Sequence, residues 1–323
     1  MQAFEYVSPT TLQAAVQLLA EAKGEAAVLA GGTDLLSLMK DRIVSPGRVI
    51  DLQKLKELRR IEFQSGSGLR LGALVTLDEL IENADVRQHY PALVQAAQGV
   101  SSPQIRSVGT VGGDLCQRPR CWYYRAGYGL LATYKGKPLV PDGDNRYHAI
   151  LGNSGPAYFV SPSSLGPALL ALGAKVRLHG PEGARELEVE KFFVTPASES
   201  ESEHALKAHE ILTEIVVPPA DGIKMAVYEV RKKRHWTGPW LPPRLPSASR
   251  VMWSEGRASC SVMWRPYLGR HGRRNKPWWE RRLLTNWRTK PQKPPSAKPP
   301  RCQRMPTSSN WPEWRSSAHC CAR

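Results

Sequence analysis

No apolar run in the chain approaches the ~18 residues needed for a membrane-crossing helix. The start, Met1-Gln2-Ala3-Phe4-Glu5-Tyr6, has neither a basic n-region nor an apolar h-region. A cytoplasmic protein with no membrane partner is therefore expected. Cysteine is sparse, since Cys116 and Cys121 alone of the six precede residue 260. A chain of 323 residues can bury the cores of two ordinary domains without a disulfide or metal staple. Residues 232–323 lack isoleucine, phenylalanine and aspartate altogether. That absence excludes an ordinary packed core there and divides the chain near residue 232.

Charge divides at the same place. The formal net charge of +16 would point to a polyanionic partner. Residues 1–231, however, hold 24 Lys+Arg against 26 Asp+Glu, while residues 232–323 hold 21 against 3. The tail also carries nine of the ten tryptophans and 13 of the 27 prolines. The first 231 residues thus have the balance of a globular protein, and no nucleic-acid partner is expected for them.

Along that first part, Leu12, Val16 and Leu19 share one face of a helix spanning Thr10 to Ala22. Ala26 to Ala30 reads as a strand running into Gly31-Gly32-Thr33-Asp34, with a helix beginning at Leu35. Arg48 to Leu52 and Leu69 to Leu74 read as strands, and Thr76-Leu77-Asp78-Glu79 as a capping box opening a helix. A helix follows at Pro91 to Gln98, then a second glycine cluster, Gly109-Thr110-Val111-Gly112-Gly113-Asp114. Beyond an irregular polar and aromatic segment to Asn153, residues 165–176 suit a helix entering a strand. Ile211 to Val217 and Lys224 to Val230 suit two further strands. Interleaving without a regular period favours an α+β fold over a doubly wound sheet.

A turn without side chains lets backbone N–H groups converge on an anion. Either glycine cluster alone reads as a tight turn, because neither has the spacing of a dinucleotide fingerprint or a P-loop. Two clusters about 80 residues apart, each with a hydroxyl and a carboxylate beside its glycines, point to a large bipartite ligand such as a dinucleotide. Asp142, Asp144, Arg146 and His148 lie in a Gly/Pro-rich loop and read as turn residues.

Four segments carry a family resemblance. Leu29-Ala30-Gly31-Gly32-Thr33-Asp34-Leu35-Leu36 and Leu71-Gly72-Ala73-Leu74-Val75-Thr76 are followed by the stretch from Ser102-Pro103-Gln104-Ile105-Arg106 through Gly109-Thr110-Val111-Gly112-Gly113-Asp114-Leu115-Cys116, and then by Ala168-Leu169-Leu170-Ala171-Leu172-Gly173-Ala174. In that order and spacing, the chain to residue 230 resembles the FAD-binding medium subunits of molybdopterin dehydrogenases of the xanthine and carbon monoxide dehydrogenase type. The resemblance implies a two-subdomain FAD-binding domain of the PCMH type over residues 1–175 and the start of an α+β C-terminal domain over 176–231. It implies FAD as cofactor, held by Ala30, Gly31, Gly32, Thr33, Asp34 and Leu35 in the first loop. Thr110, Gly112, Gly113 and Asp114 would wrap it from the second loop. The family commonly has asparagine where Asp114 stands, and a solvated carboxylate near a diphosphate would repel it by roughly a kcal/mol.

The implied function is electron transfer, from the [2Fe–2S] clusters of a partner to FAD and on to NAD or another acceptor, beside a molybdenum-cofactor subunit. Flavin joins one-electron carriers to two-electron acceptors. The resemblance therefore implies no catalytic side chain and no protein-held metal. Some relatives carry an extra [4Fe–4S] cluster, which needs four thiolates. Cys116 and Cys121 are too few for it and read as buried or surface thiols.

The resemblance stops after Tyr228-Glu229-Val230-Arg231. Relatives continue with a motif close to alanine, leucine, aspartate, tryptophan, proline, leucine, and later one close to glycine, histidine, valine, alanine, proline. His235-Trp236-Thr237-Gly238-Pro239-Trp240 must be encoded CAY TGG ACN GGN CCN TGG. Read two nucleotides on, this gives YTG GAC NGG NCC NTG, which can spell leucine, aspartate, tryptophan, proline, leucine. Val262-Met263-Trp264-Arg265-Pro266-Tyr267, shifted alike, can spell histidine, valine, alanine, proline, valine. Residues 232–323 are therefore expected to be an out-of-frame, disordered basic tail. The competing readings are a genuine basic arm that binds nucleic acid or acidic lipid in a non-enzymatic binding protein, and a metal site using Cys302, His319, Cys320 and Cys321.

Overall fold

The computed structural model describes residues 1–100, 102–146, 148–149 and 155–230, together with the backbone of three later strands, 249–255, 260–263 and 268–271. All of these lie in one compact unit, Met1–Asn275, and the remaining unit, Lys276–Arg323, falls outside the described residues. Helices and strands are mixed along the chain in the α+β manner.

The chain opens with β1 (Glu5–Val7), α1 (Leu12–Glu21), β2 (Ala26–Leu29), α2 (Leu35–Lys40) and β3 (Arg48–Asp51). These strands form a parallel sheet in the order β1-β3-β2. Thr11 starts α1 by accepting from the Ala14 amide at 3.3 Å, a cap of the kind that contributes about 1 kcal/mol. The helix then buries Ala15, Val16 and Leu19 against Ile50, Leu52 and Leu55. The apolar spacing read from the sequence is this face.

A second sheet begins with β4 (Ile61–Gln64) and β5 (Gly68–Gly72), followed by α3 (Leu77–Glu82), α4 (Ala84–His89), α5 (Pro91–Gln98), α6 (Pro103–Arg106) and α7 (Val111–Leu115). After α8 (Trp122–Arg125) and a small hairpin, β6 (Thr133–Tyr134) and β7 (Lys137–Pro138), come α9 (Gly166–Ala171), β8 (Lys175–Gly180), β9 (Gly183–Glu188), α10 (Val189–Phe192) and β10 (Ile211–Val217). The order β4-β5-β10-β8-β9 makes an antiparallel sheet. Its alternation sends Leu69, Leu71, Val176, Leu178, Ile215 and Val217 inward onto a core shared with Leu80, Leu93 and Leu169. The opposite face carries an ion ladder, Arg70 on Glu214 at 2.9 Å, Arg177 on the same carboxylate at 2.9 Å, and Arg177 on Glu186 at 2.7 Å. The expected capping box is present at Thr76 and Glu79.

This sheet spans the boundary expected at residues 175 and 176. β10 lies between β5 and β8 and pairs with both, so the segment from β8 to β10 completes the sheet that β4 and β5 begin. A division there would leave β5 with an open edge and split the core between two parts.

β11 (Lys224–Val230) pairs antiparallel with β12 (Ser249–Glu255), which continues to β13 (Cys260–Met263) and β14 (Leu268–His271). The sequence reading expects no regular structure after residue 231. Three strands nevertheless stand there, because a ladder is built from backbone N–H and C=O groups and needs no particular side chains. The rest of that segment, with Cys302, His319, Cys320 and Cys321, lies outside the described residues. Among the described residues, no helix is long and apolar enough to cross a membrane.

Candidate functional site

The first glycine turn leaves the C-terminal end of β2 and is fixed from β3. Asp51 accepts from the Tyr6 hydroxyl at 2.6 Å and from the Gln53 amide at 3.0 Å. Gln53 in turn donates to the Ala30 carbonyl at 2.9 Å. Gly32 has a φ of +71°, which a side chain would oppose. Among the described residues, the amides of Gly31, Gly32, Thr33 and Asp34 donate to no protein acceptor. Four unspent N–H groups at the end of a strand are the backbone an anion requires.

The second turn is built differently. Gly72-Ala73-Leu74-Val75-Thr76 serves as its rail: the Gly112 amide donates to the Ala73 carbonyl at 2.9 Å and the Val111 amide to the Val75 carbonyl at 2.8 Å. The Gly113 amide donates to the Thr110 hydroxyl at 3.0 Å, and the Asp114 amide to the Thr110 carbonyl at 2.8 Å. A Cβ on Gly112 would lie 2.8 Å from the Ala73 Cβ, so this glycine serves close packing. The amides of 111–114 are thus committed within the protein. What this turn offers a ligand is shape and the Thr110 hydroxyl.

The two turns touch. A Cβ on Gly31 would fall 1.9 Å from the Val108 carbonyl oxygen and 3.2 Å from the Gly109 Cα. Residues of both loops line two cavities. The larger, about 1240 Å³, is lined by Ala30 and Leu35 from the first loop and by Gly112 and Gly113 from the second. The smaller, about 260 Å³, brings Thr33 together with Thr110, Gly113, Asp114, Gln117 and Arg120. Of the ten residues singled out in the sequence, Ala30, Thr33, Leu35, Thr110, Gly112, Gly113 and Asp114 therefore line a cavity. Gly31, Gly32 and Asp34 line neither. Gly31 is packed against the other loop, and Asp34 turns away toward a group of arginines.

Both carboxylates are engaged within the protein. Asp34 accepts from the Arg118 amide at 2.9 Å and from Arg125 at 2.9 Å, and pairs with Arg120 at 2.9 Å. Burial alone would raise its carboxyl, but Arg120, Arg125 and the Arg118 amide outweigh that and hold it below the ordinary value. Asp114, 5 % exposed, is turned onto the start of α9. It accepts from the Ser163 hydroxyl at 2.6 Å, the Leu165 amide at 2.8 Å, the Ser164 amide at 3.1 Å and Gln117 at 2.9 Å. Its charge is spent on four donors, which offsets the expected repulsion of a diphosphate. The sequence reading passes over Arg120. The signal available for it is the cluster of Arg118, Arg120 and Arg125 just after the second glycine turn.

Two other titratable groups, Cys116 and His204, line the larger cavity. Burial pushes the Cys116 thiol up to about 12 and His204, stacked on Phe192, down to about 4. Cys121 Sγ lies 3.1 Å from His148 Nε2, and burial raises its thiol too. Both cysteines are free thiols. Asp144 pairs with Arg146, as suits a turn. Among the described residues, no group of three or more His, Cys, Asp or Glu side chains could hold a metal.

Comparison with known proteins gives a consistent result. A family described as "FAD binding domain in molybdopterin dehydrogenase" matches residues 2–220. The chain is 34% identical over 236 residues, 72% of its length and 74% of the other's, to the aldehyde oxidoreductase FAD-binding subunit PaoB of Escherichia coli (strain K12). It is 30% identical over 238 residues, 73% of its length and 66% of the other's, to the carbon monoxide dehydrogenase medium chain of Hydrogenophaga pseudoflava. A solved structure of carbon monoxide dehydrogenase from the latter organism, in a form lacking the Mo-pyranopterin moiety, superposes with a TM-score of 0.59 at 25% identity. That match covers 83% of this chain and 77% of the other.

Proposed function

Since the chain belongs to the family of FAD-binding domains of molybdopterin dehydrogenases, we propose that it carries FAD as the electron-transfer subunit of a molybdenum hydroxylase or dehydrogenase complex. It is an FAD-dependent oxidoreductase subunit. Its partners in this reading are a molybdenum-cofactor subunit and a [2Fe–2S] subunit, with NAD or another molecule as the final acceptor. The two sheets are then the two subdomains of a PCMH-type FAD-binding domain, the second running through β10, with a C-terminal domain beginning after it. The observation that carries the reading is the meeting of the two glycine turns, with Gly31 against the Val108 carbonyl and residues of both loops lining two cavities.

The residues present fit a dinucleotide. The unspent amides of Gly31, Gly32, Thr33 and Asp34 match a diphosphate's need for several N–H donors at once. Thr33 and Thr110 add hydroxyls around the smaller cavity. The larger cavity has room for an aromatic ring system beside Ala30, Leu35 and Leu74. When bound, the flavin joins one-electron iron–sulfur carriers to a two-electron acceptor. The chain's own part is to hold that group and to shield it from water.

The test is optical. The purified chain is expected to be yellow, or to acquire the visible absorption of bound flavin on addition of FAD and to keep it through gel filtration. A chain that retains no flavin after FAD is added would remove the reading.

We also infer that residues 232–323 are translated out of frame. The two family motifs absent from the tail can both be spelled in the same alternative frame. Strand pairing at β12–β14 is neutral on this point, since it runs through the backbone. Sequencing the gene across codons 225–240 is expected to place a nucleotide gain or loss there relative to an intact homologous gene. A coding strand that aligns with its relatives through this point only in the present frame would refute the inference.

A further inference from the structure

We propose that Arg120 is the charged anchor for the diphosphate of the bound dinucleotide, held in place by Asp34 and Gln117. This rests on the FAD reading and adds to it a residue outside both glycine turns.

Arg120 lines the smaller cavity beside Thr33, Thr110 and Gly113. Its side chain is 45 % exposed, so the guanidinium is within reach of a ligand. It is also tied down at two points: one terminal nitrogen pairs with Asp34 at 2.9 Å and the other donates to Gln117 at 2.8 Å. A guanidinium has five N–H donors, so roughly three remain for a third partner. The tether fixes the planar group before a ligand arrives, which lowers the ordering cost of binding.

The neighbouring cations have their own partners or lie away from this cavity. Arg120 and Arg125 share the single carboxylate of Asp34, and Arg125 is 12 % exposed. Arg118, the next cation, has its own partner in Glu203 at 2.7 Å. Asp114 contributes a negative charge to the same cavity, but its oxygens are engaged by Ser163, Ser164, Leu165 and Gln117. Arg120, Arg125, Asp34 and Asp114 sum to no net charge, so what Arg120 adds is a set of unspent N–H donors on the one cation, among the described residues, lining a cavity that neither glycine turn supplies with one. A diphosphate is the part of a dinucleotide that matches it. Asp34 then acts as a positioning residue, one step removed from the ligand.

The experiment measures FAD affinity of the full chain by flavin fluorescence for the native protein, Arg120→Gln and Arg120→Lys, each at low and high salt. Arg120→Gln is expected to weaken FAD about 10- to 100-fold, the usual range for a charge-assisted phosphate contact. Arg120→Lys should recover part of that. The glutamine variant should also lose FAD less steeply as salt rises, which a purely structural role would not produce. Inorganic pyrophosphate is expected to compete with FAD on the native chain. Because Arg125 and the Arg118 amide still hold Asp34, the thermal midpoint of the glutamine variant should stay close to native. Equal FAD affinity and equal salt dependence for the native and glutamine chains would overturn the proposal alone. A native chain that binds no FAD would remove the function proposed above, and this anchor with it.

Discussion

Gly31→Ala is expected to abolish flavin retention, with FAD affinity falling at least about 100-fold and the thermal midpoint falling as well. The added Cβ would sit 1.9 Å from the Val108 carbonyl oxygen and 2.7 Å from its carbon. Both atoms are backbone, so no rotamer change can relieve the clash. One turn must move away from the other, and that displaces the cradle and the cavities beside it together. Gly113→Ala provides a graded comparison, because its Cβ would meet only the Thr110 hydroxyl, at 2.9 Å. Its effect should be smaller. Gly155→Ala, with nothing among the described residues within 4 Å of the new carbon, should bind FAD as the native chain does. A Gly31→Ala protein with native affinity and native midpoint would show that the turns do not need their contact.

How much of the fold is legible in the sequence depends on how local each feature is. The face of α1 and the capping box at Thr76 follow from side chains within one or two helical turns, and both stand where the residues place them. β1, β4 and β9 are not legible. They are edge strands of three to six residues, and β9 (Gly-Ala-Arg-Glu-Leu-Glu) carries no apolar alternation strong enough to mark it. Their pairing partners decide them. The same holds for the boundary at residue 175, which is crossed by the pairing of β10 with β5 across more than 140 residues of chain.

The site divides along the same line. Two glycine clusters, each with its hydroxyl and carboxylate, are enough to suggest a shared cleft. The destinations of the carboxylates are not contained in that pattern. Asp34 meets Arg118 and Arg125 across 84 and 91 residues, and Asp114 meets Ser163 and Leu165 across 49 and 51. A carboxylate beside a glycine turn looks like a ligand contact until the distant segment that consumes it is placed. Arg120 is hidden for the converse reason: its position follows from Asp34, which itself reads as a direct contact.

Asp114→Ala should be the most destabilising single change near the site that leaves the glycines of both turns untouched. The carboxylate accepts from the Ser164 and Leu165 amides and the Ser163 hydroxyl, all in buried surroundings, and so fastens the second loop to the start of α9. Alanine leaves those donors without an acceptor. At roughly 1–3 kcal/mol for each buried group left unsatisfied, a total near 3–5 kcal/mol is expected, allowing for partial relief by water. For a folded unit of this size that lowers the midpoint by about 6–20 °C. Asp114→Asn keeps one acceptor oxygen, but the Ser164 and Leu165 amides bond different carboxylate oxygens, so the NH₂ faces one of them donor to donor and a loss of about 1–3 kcal/mol is expected, smaller than for alanine. The pair of variants separates the two roles open to this residue. If thermal unfolding shows Asp114→Ala to be as stable as the native chain while FAD affinity changes sharply, the carboxylate acts on the ligand and not on α9. If stability falls and the FAD affinity of the folded fraction is nearly unchanged, Asp114 is the clasp between the second glycine turn and the helix behind it.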